Sequence, residues 1–187
     1  MNLAGLKIVM PSTPYDAKGL MLSAVRDPNP VVDLQDHVLG GTRGHVPAED
    51  YAIPLGVADV KRRGTDVTVV AIGATVPKAL KAAENAAAEG ISVEVIDPRT
   101  LVPLDLDTIL ESVSRTGRLV VVDNARLTAS AASEILASVV QQGFGSLKSA
   151  PVRVAWADVP VPFSAPLENR VVVQEADIAA AIRTVLA

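Results

Sequence analysis

The chain has 187 residues, enough to bury a full core as one large domain or as one domain with an appendage. Hydrophobic residues make up 49% and aromatics only 3%, so the interior is mainly Val, Ala, Leu and Ile, which suits parallel strands covered on both faces. A net charge of −4 without a basic, aromatic-interleaved run argues against nucleic acid, the absence of Cys excludes disulfides and thiolate chemistry, and no apolar run approaches the roughly 20 residues of a membrane span.

Residues 6–9 read as a buried strand. Thr13 follows as the N-cap of a helix over Pro14–Arg26, with Pro14 at the first helical position and Asp16 three residues past the cap, as in a capping box. Residues 31–34 form a second strand. Residues 35–54 carry Gly40, Gly41, Gly44, Pro47 and Pro54 with little periodicity, the composition of a linker. Strand and helix then alternate. Residues 66–72 are a near-continuous apolar run, as in a strand buried on both faces. Thr75 can cap the next helix, whose inner side is Val76, Leu80, Ala83 and Ala87 and which Gly90 ends. Strands follow at 91–96 and 118–122, separated by a helix from its cap Asp105 through Arg115 that Gly117 closes. A helix at 129–142 stops at Gly143. The last strand is Val152–Trp156. Pro160, Pro162 and Pro166 interrupt any regular element, and Glu175–Leu186 is the closing helix. This alternation predicts an α/β domain with a largely parallel sheet.

No dinucleotide or P-loop glycine motif and no nucleophile elbow is present. Gly143-Phe-Gly145-Ser-Leu-Lys148 follows a helix rather than a strand, so it reads as a helix stop and connector. Asp97, Asp123 and Asp158 each follow a strand, where they can border a ligand site or simply cap a turn. Asp97 and Arg99 are spaced for a salt bridge. His37 and His45 lie in the linker without a triad-forming neighbour, and a structural or exposed role is expected. The last turn of the Pro14–Arg26 helix leaves carbonyls free at Ala24 and Val25, and Asp27 and Asn29 add side-chain oxygens. Such clustered hard donors suit K⁺ or Ca²⁺; the same residues also make a plain helix-stop turn.

Several stretches resemble one family. GLKIVMPSTPYDAKGL (residues 5–20), DPNPVV (27–32), YAIPLGVAD (51–59), GTDVT (64–68), VEVIDPRTL (93–101) with PLD (103–105), and DVPVP (158–162) are similar to β subunits of thiamine-diphosphate-dependent 2-oxoacid dehydrogenases. These are the pyruvate, branched-chain and acetoin types, relatives of transketolase. The resemblance implies a three-layer α/β/α transketolase C-terminal-like domain with a mostly parallel sheet over residues 52–187. Residues 1–34 would be a terminal β-α-β remnant of the pyrimidine-binding domain and 35–51 a linker. It also implies a K⁺ held by Ala24, Val25, Asp27 and Asn29.

By the same resemblance, the Glu and His that work on thiamine diphosphate belong upstream of Gly5. No catalytic or cofactor-binding residue is therefore assigned, and thiamine diphosphate is expected only in an assembled enzyme. The expected role is the assembly part of a β subunit in the cytoplasm, as a split-gene product or truncated remnant. It would contribute to oxidative decarboxylation of a 2-oxoacid, with acyl transfer to lipoamide, once completed by partner chains. The partners implied are a dehydrogenase α subunit, the N-terminal half of the β subunit and a lipoyl acyltransferase core. Residues 1–34 would then keep an apolar surface for a partner. Residues 125–131 depart from the family's Gly-rich version. Two other readings stay open: a piece of a split transketolase-like enzyme, and a non-catalytic oligomerisation module.

Overall fold

Two sheets organise the chain, which the computed structural model describes at residue 1 and residues 3–187. The first elements are β1 (Lys7–Val9), α1 (Pro14–Arg26) and β2 (Val31–Asp33), with β1 and β2 parallel. Thr13 caps α1, its hydroxyl accepting the Asp16 N–H at 3.1 Å. The capping box does not close on the Thr13 backbone. Asp16 accepts the Thr13 hydroxyl instead and turns its carboxylate toward cations elsewhere in the chain. The segment read as linker contains a short 3₁₀ turn at His37–Leu39 and then runs back over α1. There Ile53 joins Val9 and Leu20 in a small core. Gly19 permits this approach, because a Cβ on it would lie 2.6 Å from the Ile53 side chain.

The second part begins with β3 (Asp59–Arg62), β4 (Val67–Ala71), α2 (Thr75–Ala88), β5 (Val93–Asp97), β6 (Thr100–Val102) and α3 (Leu106–Thr116). It continues with β7 (Leu119–Arg126), α4 (Ala131–Gly143), β8 (Val152–Trp156), α5 (Ala165–Glu168) and α6 (Glu175–Leu186). Its sheet has the order β3-β5-β4-β7-β8, parallel except where β3 runs against β5. Helices α2 and α6 pack one face through Val76, Ala79, Ala83, Ile178 and Ile182. Helices α3 and α4 pack the other through Ile109, Val113, Ile135 and Val139. The expected three-layer α/β/α fold is therefore the observed one.

Several local expectations are corrected. Strands β3 and β6 and helix α5 were not expected, because each is short and β3 is charged and only half-buried. Thr75 is the first helical residue rather than the cap; its hydroxyl donates to the Ile72 carbonyl at 2.8 Å. The inner side of α2 is rotated toward Ala79, Ala82 and Ala86, leaving Ala87 exposed. Gly143 is the last residue of α4 and a 3₁₀ turn follows it. Asp105 and Gly117 bound α3 as read, with the Asp105 carboxylate accepting the Thr108 N–H at 3.1 Å and Gly117 at φ 75.

A second, 3-stranded sheet of order β2-β1-β6 ties the two parts together, because β6 runs antiparallel to β1. Ile178 has no exposed surface in the layer between α6 and the large sheet. Truncation in Ile178→Ala should cost about 2–5 kcal/mol, read as a lowered midpoint in urea unfolding with an unchanged slope.

Candidate assembly surface

An ionic cluster sits where the β1-α1-β2 step meets the large sheet. The Asp16 carboxylate is 0% exposed and lies 2.8 Å from Lys61 Nζ of β3. Arg99 Nε is 2.9 Å from its other oxygen, close enough for an ion pair but out of line for a hydrogen bond. Lys61 also reaches Asp59 at 2.8 Å and Asp97 at 3.7 Å, and Arg99 Nη2 donates to Asp59 at 2.8 Å. The expected Asp97–Arg99 salt bridge is not formed. Asp97 instead accepts the Arg99 backbone N–H at 2.9 Å and the Ser12 hydroxyl. Arg99 sits at φ 58, a left-handed conformation that costs a non-glycine residue about 1–3 kcal/mol and aims the guanidinium into the cluster.

The charges answer to this packing. Burial pushes the Asp97 carboxyl up to about 6, against hydrogen bonding from Ser12 and the pull of Lys61. Burial also works against ionised Asp59, but hydrogen bonds and charge from Lys61 and Arg99 outweigh it and hold that carboxyl below its usual range. Lys61 is raised, since its bonds to Asp16 and Asp59 outweigh its own desolvation.

Helix α1 covers one face of the small sheet, and on the other Ile8 and Met10 pack in part against the core of the large sheet. Val9 and Val31 face α1 beside Leu20 and Ile53. Ile8, Met10 and Leu34 point the other way, into a groove of about 850 Å³ whose far wall is the start of α4. Among the described residues β2 is paired along one edge alone, and Val32 and Leu34 are 37% and 44% exposed. An open strand edge beside exposed apolar side chains invites pairing with another polypeptide. A second exposed apolar stretch lies in the Pro-rich segment, where Val159, Val161, Phe163 and Leu167 face solvent.

The residues read as cation donors do come together at the end of α1. The Asp27 N–H donates to the Ala24 carbonyl at 3.3 Å, and Val25 is exposed beside it. Asp27 Oδ2 pairs with Lys7 Nζ at 2.5 Å, and its Oδ1 accepts Asn29 N–H at 2.9 Å and Asn29 Nδ2 at 3.0 Å. The Lys7 and Asn29 bonds hold the Asp27 carboxyl below its usual value. The turn therefore gathers oxygens, but its one carboxylate is already matched by Lys7.

Asp123 and Asp158 serve local structure. Asp123 accepts the Ala132 N–H at 3.0 Å at the start of α4, and Asp158 accepts the Thr128 N–H at 3.1 Å and hydroxyl at 2.6 Å. That second contact is what the atypical 125–131 stretch supplies. His37 and His45 are exposed. Residues 144–146 form the connector after α4, with the Lys148 N–H bonded to the Gly117 carbonyl at 2.7 Å. Thiamine diphosphate does not fit the described residues by themselves. Neither the groove nor the smaller cavity at the start of α1 is lined by a Lys or Arg to balance a diphosphate, and in the cavity that Arg63 and Arg115 line both are paired with Glu94. Among the described residues no three acidic, His or Cys side chains are grouped to hold a metal ion, and no helix is long and apolar enough to cross a membrane. The ionic cluster has no local signature in the sequence, because Asp16 and Lys61 are 45 residues apart.

Residues 56–178 match the family described as Transketolase, C-terminal domain, so the chain belongs to that family. More narrowly, it corresponds to the C-terminal part of 2-oxoacid dehydrogenase β subunits. It is 50% identical, over 97% of its length and 54% of the relative's, to the acetoin:2,6-dichlorophenolindophenol oxidoreductase subunit beta of Cupriavidus necator. It is 49% identical, over 86% of its length and 50% of the relative's, to the pyruvate dehydrogenase E1 component subunit beta of Bacillus subtilis. The 2-oxoisovalerate dehydrogenase subunit beta of the same organism is 42% identical over 97% of the chain. The chain spans about half the length of the curated relatives it matches. A solved structure titled as a split gene transketolase, inactive beta4 tetramer, aligns with a TM-score of 0.82 at 26% identity, covering 99% of this chain and 58% of that one.

Removing Asp16 takes away the fully buried carboxylate that Lys61 meets at 2.8 Å and Arg99 at 2.9 Å. Asp16→Ala should therefore cost about 3–5 kcal/mol in thermal unfolding. Arg26→Ala, which breaks an exposed pair with Asp50, should cost about 0–1 kcal/mol.

Proposed function

We propose that this chain is the assembly part of a thiamine-diphosphate-dependent 2-oxoacid dehydrogenase, working in the cytoplasm within a hetero-oligomer. The observation that carries the reading is the open edge of β2, with Val32 and Leu34 exposed beside the groove that Ile8 and Met10 line. In this reading residues 1–34 belong to a pyrimidine-binding domain, 35–51 link it, and 52–187 form the second domain. Polypeptide equivalent to the N-terminal half of a β subunit pairs with the β2 edge and covers Val32 and Leu34, and a dehydrogenase α subunit completes the enzyme. The complex then holds thiamine diphosphate, decarboxylates a 2-oxoacid and passes the acyl group to lipoamide on an acyltransferase core. The chain's own residues supply surfaces and register for assembly rather than reacting groups. Identities of 42–50% to dehydrogenase β subunits against 26% to the transketolase support a 2-oxoacid substrate over a sugar phosphate.

A second reading is a homotetramer of this chain without activity. It is supported by the fold match across 99% of the chain to a protein titled an inactive beta4 tetramer.

The test is co-expression with the α subunit and the N-terminal half of the β subunit of the Cupriavidus necator acetoin enzyme. The expected outcome is co-purification, thiamine-diphosphate binding by the mixture, and loss of both in Leu34→Lys, whose circular dichroism stays that of the parent. A chain that purifies alone as a tetramer, from a mixture that binds no cofactor, sinks the first reading in favour of the second.

A K⁺ at the Asp27 turn, held by the Ala24 and Val25 carbonyls with Asp27 and Asn29, belongs to the same proposal. The melting temperature should then be higher in KCl than in NaCl of equal ionic strength, and Asp27→Ala should remove the difference. Equal melts of the parent in the two salts dispose of the site.

A further inference from the structure

We propose that the buried cluster at Asp97 takes up one proton when the β1-α1-β2 step seats on the large sheet, so that seating is tighter in mildly acidic solution than at neutral pH. Every element around Asp97 contributes a group to the count. Helix α1 brings Asp16, β3 brings Asp59 and Lys61, the turn before α1 brings Ser12, and the turn after β5 brings Arg99. Tyr51 lies beyond Asp16. Three carboxylates therefore share two cations. Asp16 and Asp97 are 0% exposed, so water cannot screen the unmatched charge.

The geometry selects which carboxylate takes the proton. Asp16 has Lys61 at 2.8 Å and Arg99 at 2.9 Å, and Asp59 has both at 2.8 Å. Asp97 has its nearest cation at 3.7 Å and is otherwise met by a hydroxyl and a backbone N–H, both neutral donors. Protonating Asp97 balances the cluster without breaking any of the short ion pairs.

Asp97 also straddles the junction, since Ser12 belongs to the step and Asp97 to β5. Lifting the step off admits water to the carboxylate and returns it to the ordinary range near ~3.9. The seated state thus binds more protons than the open state between ~4 and about 6. Seating is strongest at the low end of that window, weakens as pH rises through it, and is level above it.

The experiment is a ¹³C-carboxyl NMR titration of the full chain, with amide hydrogen exchange of β1 and β2 corrected for intrinsic rates. Asp97 should titrate with a midpoint near 6 in the folded chain and near ~4 in urea. Protection of the β1 and β2 amides should fall about tenfold from pH 5 to pH 7. Asp97→Asn should flatten that dependence, and Ser12→Ala, which removes a donor to the charged form, should move the midpoint upward. A folded-state midpoint for Asp97 at or below ~4.5 overturns the proposal, as does an unchanged pH dependence of protection in Asp97→Asn. The midpoint is read on the parent chain, so the outcome does not depend on either variant folding.

Discussion

The buried carboxylate of Asp16 is the constraint from which the arrangement of the two parts follows. It lies in the first turn of α1, where an acidic residue already complements the helix N-terminus. Full burial then obliges it to find cations, and the nearest are Lys61 of β3 and Arg99 beyond β5. Those two pairings, with the β1–β6 backbone ladder, fix where the β1-α1-β2 step sits against the large sheet. Arg99 adopts a left-handed backbone conformation to meet them, so the large domain is itself shaped by the contact.

That placement decides which surfaces are closed and which stay open. The large sheet is covered on both faces by α2, α6, α3 and α4 and is a finished three-layer core. The small sheet packs α1 on one side and, through Ile8 and Met10, part of the large sheet's core on the other. Among the described residues β2 keeps an unpaired edge, with Val32 and Leu34 exposed along it. An open edge with exposed apolar side chains along it is suited to pairing with another polypeptide.

Much of the fold was legible locally. Continuous Val and Ile runs mark β4, β5 and β7, since strands buried on both faces need no polar alternation. Helix boundaries followed Thr13, Asp105 and Gly117, because capping is chemistry between near neighbours. Strands β3 and β6 have little hydrophobic pattern of their own and exist through pairing with β5 and β1. Ala24, Val25, Asp27 and Asn29 lie within six consecutive positions, so their place in one turn follows from the sequence. The Lys7 ammonium that already matches Asp27 was not foreseen, as it arrives from a neighbouring strand 20 residues away. Asp97 and Arg99 were paired by spacing, and the structure redirected Arg99 to carboxylates from two other elements.

The sequence by itself determined the α/β class, the alternation of elements, the helix ends and a family resemblance that the matched relatives bear out. All of these rest on periodicity, on contacts within one turn, or on motifs read in order. Only the tertiary structure decided how Asp16, Asp59, Asp97, Lys61 and Arg99 share their charges, and that the small sheet keeps an open edge at β2. Those outcomes depend on burial and on partners tens of residues apart, and burial is a property of the packed chain rather than of any segment.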